Sequence, residues 1–255
     1  MSRADAGGTH EEPDDDEVPS PAPLRRTSVR GALRPAAVDF YDHSIRLVPA
    51  NLVWGLGLIS LGWLAIGVGI RPALLLSPLL AVPLVGIYRL AGHASRGEGV
   101  VLSDAAAAMR ERALPAVALG AAIEWAFVLL VTNIQIGLGS GTALGWGFAT
   151  VAAWALLATI VYAVVLWPLL GDPARRRVPA RSTARLAALV VLAAPGRTAL
   201  LTVVVCVLAA ISTVAFAAIL TISVAYLAIV SCRVILPEAD HLVARLAARP
   251  REARR

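Results

Sequence analysis

The chain has 255 residues, 58% of them hydrophobic and only 16% charged, with a mean hydropathy of +0.74, against roughly 25% charged residues in soluble domains. All 23 basic residues are Arg, the net charge is +6 and the pI is near 10.3. This composition excludes an ordinary soluble domain. The arginines, read by position, belong to membrane orientation and anionic headgroups and do not imply nucleic-acid binding.

Cys206 and Cys232 lie inside apolar runs and read as buried small hydrophobes. The histidines His10, His43, His93 and His241 are scattered, with no pair at metal-ligand spacing, so neither a metal nor another cofactor is expected.

Residues 1–37 read as a disordered cytoplasmic tail, acidic at first (Glu11, Glu12, Asp14, Asp15, Asp16, Glu17) and basic from Arg25 to Arg34. The start lacks the basic and short apolar regions of a secretory signal, and the first hydrophobic span is expected to direct insertion. Residues 38–48, VDFYDHSIRLV, mix Phe40, Tyr41, Ile45 and Leu47 with Asp39, Asp42 and Arg46 at spacings that predict an interfacial amphipathic helix.

Six spans are predicted, over residues 47–70, 73–90, 114–132, 146–167, 198–214 and 216–236. Each is long enough to cross a hydrocarbon core of roughly 30 Å. The second holds Pro78 and Pro83, and a kink is expected at each. Between the second and third, Ser103 precedes DAAAAMRER as a predicted N-cap of a short cytoplasmic helix over 104–113. Gly137 to Gly147, GLGSGTALGWG, reads as a flexible connection; it has the Gly and Ser content of an intramembrane serine-protease loop, but no span supplies a histidine as base. Pro168 is expected to close the fourth span, and residues 186–194, too short to cross, are assigned to the interface.

The apolar run 198–232 is about 52 Å long as a single helix, which overshoots the membrane and divides it into the last two spans. The Arg-rich segments are the amino-terminal approach, residues 91–112, residues 171–197 and the basic tail 237–255, whereas the other three connections contain only Arg71. Alternation of this kind places both termini in the cytoplasm. The expected fold is therefore an all-α polytopic membrane bundle of six transmembrane helices, residues 38–236, with interfacial amphipathic helices.

Glu124 is read as the one ionisable group in the interior of a span. Ala116, Gly120 and Glu124 share one helix face, and small residues on such a face admit a neighbouring helix. Thr159 and Tyr162 on the fourth span lie at comparable depth as possible hydrogen-bond partners. Two readings follow: a proton- or cation-responsive group of a transport path, or a protonated carboxylic acid cross-linking helices. Asn51 and Trp54, in PANLVWGL, fit a packing role at a span end. No cluster of His, Cys and acids converges at one depth, so enzymatic chemistry is not expected.

The segments FYDHSIRLVPANLVWGL, SPLLAVPLVGIYRLAGHASRGEGVVLSDAAAAMRER and APGRTALL resemble the YesL-like family of bacterial integral membrane proteins of unknown function. The matching positions are Phe40, Asp42, Asn51, Trp54, Pro83, Arg96, Gly97 and Glu98. Leu80, Ala81 and Val82 depart from the pattern, as does the alanine-rich loop helix. The resemblance implies a non-enzymatic accessory role, with transporter subunits for carbohydrate uptake as partners. It implies no catalytic residues. The membrane itself would be that of a bacterium with a GC-rich genome.

Overall fold

The computed structural model describes residues 24–214 and 222–252. Among these the structure is helical, without strands: α1 (Val29–Asp42), α2 (Ser44–Gly67), α3 (Ile70–Leu76), a 3-10 turn (Ser77–Leu80), α4 (Ala81–Arg96), α5 (Leu102–Gly139), α6 (Ala143–Gly171), a second 3-10 turn (Pro173–Arg175), α7 (Ala180–Ala193), α8 (Pro195–Val214) and α9 (Val224–Glu252). Five stretches, α2, Ile70–Arg96, α5, α6 and α8, are long and apolar enough to cross a membrane. The chain fits a multi-pass membrane protein.

The molecule is built around its last helix. Ala225, Ala228, Ile229, Val230, Cys232, Val234, Ile235, Leu236 and Ala239 are all buried, and a helix apolar on every side must sit inside other helices. Here α1, α4 and α6 pack directly on α9, with α2, α7 and α8 completing the ring. Lipid is as apolar as leucine, so helix association in a bilayer depends on close packing and hydrogen bonds. Both are present. A Cβ on Gly171 of α6 would lie 2.6 Å from the Tyr88 Cβ and 2.8 Å from the Tyr88 carbonyl carbon of α4, so these two helices meet at backbone contact.

Burial is uneven along the bundle. It concentrates in α4 from Val85 onward, in the second half of α6 and in α9, which carry Val85, Ile87, Leu90, Leu166, Leu169, Ile235 and Leu236. Towards the other end, Leu56, Trp63 and Ile66 on α2, Trp125 and Leu129 on α5, and Trp154 on α6 are exposed. An apolar exposed surface suits a hydrocarbon surround.

Several expected boundaries change. The predicted amphipathic segment 38–48 is divided between α1 and α2 by His43, and residues 29–37, expected to be disordered, form most of α1. The stripe Val29, Ala32 and Ala36 explains the shift, because it is buried on the bundle. In the second span only Pro78 marks a break, where the helix tightens to 3-10 geometry. Pro83 sits in the first turn of α4, where a missing N–H is harmless.

The predicted 104–113 helix and third span are one 38-residue helix with Pro115 inside it. The alanine-rich sequence on both sides has high helix propensity and carries the helix across the proline. Position Val101, not Ser103, caps it. The expected flexible connection 137–147 is a tight hairpin: Thr142 Oγ1 accepts from Gly145 N–H at 3.1 Å, and Gly141 turns the chain with φ +63°. Pro168 lies within α6 instead of closing it. The interfacial segment 186–194 is the second half of a longer helix, α7, with Thr183, Ala187 and Val190 buried.

The region assigned as a basic tail, 237–255, continues α9 through Glu252. The acidic run in residues 1–23, the turn between the last two predicted spans with residues 216–221 of the sixth, and residues 253–255 lie outside the described residues.

Candidate functional site

The sequence points to Glu124, and the structure sets it against the break in the second span. Ala116 is buried, and a Cβ on Gly120 would lie 3.0 Å from the Ala81 Cβ and 3.6 Å from the Pro78 carbonyl oxygen. The small-residue face of α5 thus admits the 3-10 turn, and one helical turn further on Glu124 Oε1 is hydrogen-bonded to Ser77 Oγ. Ser77 Oγ also lies 2.9 Å from the Leu74 carbonyl oxygen. Glu124 is half-buried.

The other expected partners are elsewhere. Thr159 Oγ1 donates to the Ala155 carbonyl of its own helix at 2.8 Å, and the Tyr162 hydroxyl donates to the Ala184 carbonyl of α7 at 3.2 Å. Neither is hydrogen-bonded to Glu124. Asn51 is fully buried, and its Oδ1 accepts from Ala225 N–H at 3.0 Å, tying α2 to the first turn of α9. Trp54 packs against the same core.

Glu124, expected to be the one ionisable group in the interior of a span, is not alone within the predicted spans. Arg89 and Arg233, near the ends of the second and sixth predicted spans, are helical residues of α4 and α9. Arg233 Nε donates to Asp39 Oδ2 of α1 at 2.6 Å, and its carbonyl accepts from Thr27 Oγ1 at 3.2 Å. Arg89 is 4% exposed.

A charged network that the sequence did not disclose closes the Arg-rich end of the bundle. Arg96, at the end of α4, donates from Nε to Asp172 Oδ1 at 2.9 Å and from Nη2 to Asp172 Oδ2 at 2.8 Å. Arg96 Nη1 is 3.3 Å from Asp240 Oδ2 on α9, and Arg175 Nη2 is 2.5 Å from Asp240 Oδ1. Arg175 also pairs with Asp172, completing a ring of two guanidinium and two carboxylate groups. Within this ring the Asp172 side chain is fully buried and that of Arg96 is 5% exposed. Burial works against the Arg96 cation, but hydrogen bonds and charge from Asp172 and then Asp240 outweigh it and hold its pKa above the ordinary value.

Local sequence helps to place two of the members. Gly97, with φ +71°, ends α4 just beyond Arg96, and the Glu98 N–H bonds back to the His93 carbonyl at 3.0 Å, a glycine-dependent helix stop. Asp172 begins the turn after α6 and accepts from Ala174 N–H at 3.1 Å. Around the ring, Glu238 of α9 pairs with Arg26 at 3.1 Å and with Arg197, and Glu111 pairs with Arg176. The Arg176 hydrogen bond holds the Glu111 carboxyl below its usual range.

Chemically, this end is a rigid clasp. It joins α1, α4, α5, α6, α8 and α9 through charge-assisted bonds, and its groups are spent on one another. Among the described residues, no group of three or more His, Cys, Asp or Glu stands together in a way that could hold a metal ion. The sequence points to Arg96 as part of a motif and to Arg175 only as one arginine of a basic loop; it gives no signal for Asp172, Glu238 or Asp240. Comparison with protein-family models, with curated proteins and with solved structures finds no match, so the family resemblance rests on the sequence motifs alone.

Proposed function

We infer that this chain is a six-span, non-enzymatic component of a membrane assembly, with both termini and the ion-paired end on the cytoplasmic side of a bacterial cell membrane. α9 supplies the sixth crossing, and its carboxyl-terminal part stands out into the cytoplasm. The positive-inside rule supports the sidedness, since the clasp gathers the Arg-rich segments. The resemblance to the YesL-like family supports an accessory role beside a carbohydrate ABC transporter.

The observation that carries this reading is the closure of the charged end: Asp172, Arg96, Arg175 and Asp240 satisfy one another and cross-link α4, the turn after α6 and α9, leaving none of these four charges free for a solute. Affinity purification of the tagged full chain in mild detergent tests it. Co-purification of transporter subunits is the expected result, and recovery of the chain alone, under conditions that keep known complexes whole, contradicts it.

A second reading is favoured by the 3-10 interruption of the second span, because an irregular turn within a span, beside an acid, often marks a functional site. Ser77 has one hydroxyl proton and two acceptors within reach, Leu74 O and Glu124 Oε1. The group is complete as a static cross-link when Glu124 itself brings a proton, and it becomes a switch if that proton leaves. Solute flux into liposomes that depends on pH and is lost in Glu124→Gln would establish the transporter; wild-type abundance and transport phenotypes in Glu124→Gln would remove it.

A further inference from the structure

One face of α1 holds it to the bundle. Val29, Ala32 and Ala36 are buried there, and Leu33 and Phe40 pack beside them on the core. Thr27, just before the helix, donates to the Arg233 carbonyl, and Asp39, near its end, accepts from Arg233 Nε. These two positions are about 18 Å apart at helical rise, yet both reach a single residue of α9. Helices lying side by side would pair them with residues far apart on α9. α1 therefore lies across α9, and where α9 crosses a membrane, α1 runs along the membrane surface.

The opposite face of α1 is differently composed. Arg30, Arg34, Val38 and Tyr41 recur there at helical spacing, and Ile45 and Arg46 extend the stripe into α2. All six are exposed, Tyr41 to 80% and Ile45 to 88%. Apolar surface this bare is unfavourable in water, and a guanidinium is unfavourable in hydrocarbon. The headgroup layer suits both, with aromatic rings at the acyl boundary and arginines among the phosphates. Charge points the same way. Asp39 is spent on Arg233, and among the described residues Arg30, Arg34 and Arg46 have no ion pair. Asp42 is the one exposed acid of the helix.

We propose that this outward face of α1 binds anionic phospholipid of the cytoplasmic leaflet, with Arg30 and Arg34 on the phosphates and Tyr41 and Ile45 inserted beneath them. Arg30 and Arg34 stand one turn apart, and each planar fork can hold a phosphate from two nitrogens. The proposal rests on the six-span reading, which sets α9 across the membrane.

A fluorescent probe on Ala37→Cys, an exposed position between Arg34 and Tyr41, tests the surface in the full chain carrying Cys206→Ser. The protein is placed in phosphatidylcholine nanodiscs containing a small fraction of phosphatidylglycerol or phosphatidylcholine with a quencher near the top of one acyl chain. The phosphatidylglycerol is expected to quench preferentially, by roughly fivefold for each arginine engaged, and the preference is expected to fall at high salt. It is expected to vanish in the double variant Arg30→Gln, Arg34→Gln, which should melt as wild type because neither side chain has a protein partner. Equal quenching by the two lipids, or a preference that survives in the double variant, overturns the proposal. An equal loss in Arg177→Gln, an exposed arginine away from α1, also overturns it, since general surface charge would then be the cause. The competing occupant is the acidic run at residues 11–17; if the lipid preference appears only after its acids are changed to amides, that run takes the face and the proposal falls. A probe quenched by aqueous iodide and by neither lipid overturns the proposal and leaves six spans intact, whereas labelling of Arg245→Cys from outside the cell strikes the six-span reading and the proposal with it.

Discussion

Replacing Asp172 with Asn tests the clasp at its most buried member. The substitution keeps size and retains an oxygen for the Ala174 N–H, but it removes the charge that serves Arg96 through the 2.8 and 2.9 Å bonds and also serves Arg175. The new amide nitrogen is a donor facing donors. Breaking a buried pair from one side costs about 3–5 kcal/mol, mostly because the surviving charge stays buried, out of a total stability of about 5–15 kcal/mol. Unfolding by a denaturing detergent in mixed micelles, followed through the six tryptophans, measures the loss. A cycle with Arg96→Met is expected to show coupling of about 1–3 kcal/mol between the two positions. A cost below about 1 kcal/mol for Asp172→Asn would refute the claim that this ring holds the bundle end together.

Other expectations follow from single contacts. Gly171→Ala drives a methyl into the Tyr88 backbone and is expected to cost about 1–3 kcal/mol by overpacking, measured by the same unfolding. Asn51→Leu leaves the Ala225 N–H without the Asn51 acceptor and is expected to cost about 1–3 kcal/mol. If Glu124 is a static cross-link, Glu124→Gln, which can still donate to Ser77 and accept from it, changes stability by less than about 1 kcal/mol; a larger loss favours the ionisable role. Because Arg176 depresses the Glu111 carboxyl, the Glu111 contribution to stability is present above the ordinary carboxylate range and is lost as pH falls through the lowered value. An acid melting series should show this component in wild type and lack it in Arg176→Gln.

Hydropathy made five of the long apolar helices legible, because crossing lipid demands such helices whatever their arrangement. The side-chain face of α5 was legible too: Ala116, Gly120 and Glu124 at four-residue steps could only meet a closely packed neighbour, and they meet the turn at Pro78. Pro168 misleads as a boundary, since it lies inside α6, which packing carries through. The ring of Arg96, Asp172, Arg175 and Asp240 was hidden for a different reason. Charges beside spans all look alike as headgroup contacts, and Arg96 finds partners 76 and 144 residues away, a pairing set by how α4, α6 and α9 pack and by no local pattern. The same holds for Arg89, whose position near a span end disguised its burial.

Sidedness is the most direct test of the whole account. In a Cys206→Ser background, where Cys232 stays buried, single cysteines are introduced as Gly139→Cys at the α5–α6 hairpin, Arg177→Cys beside the clasp and Arg245→Cys on α9. A membrane-impermeant maleimide added to intact cells is expected to label Gly139→Cys alone, with the other two labelled only after lysis. Labelling of Arg245→Cys or Arg177→Cys from outside would contradict six spans with a cytoplasmic clasp.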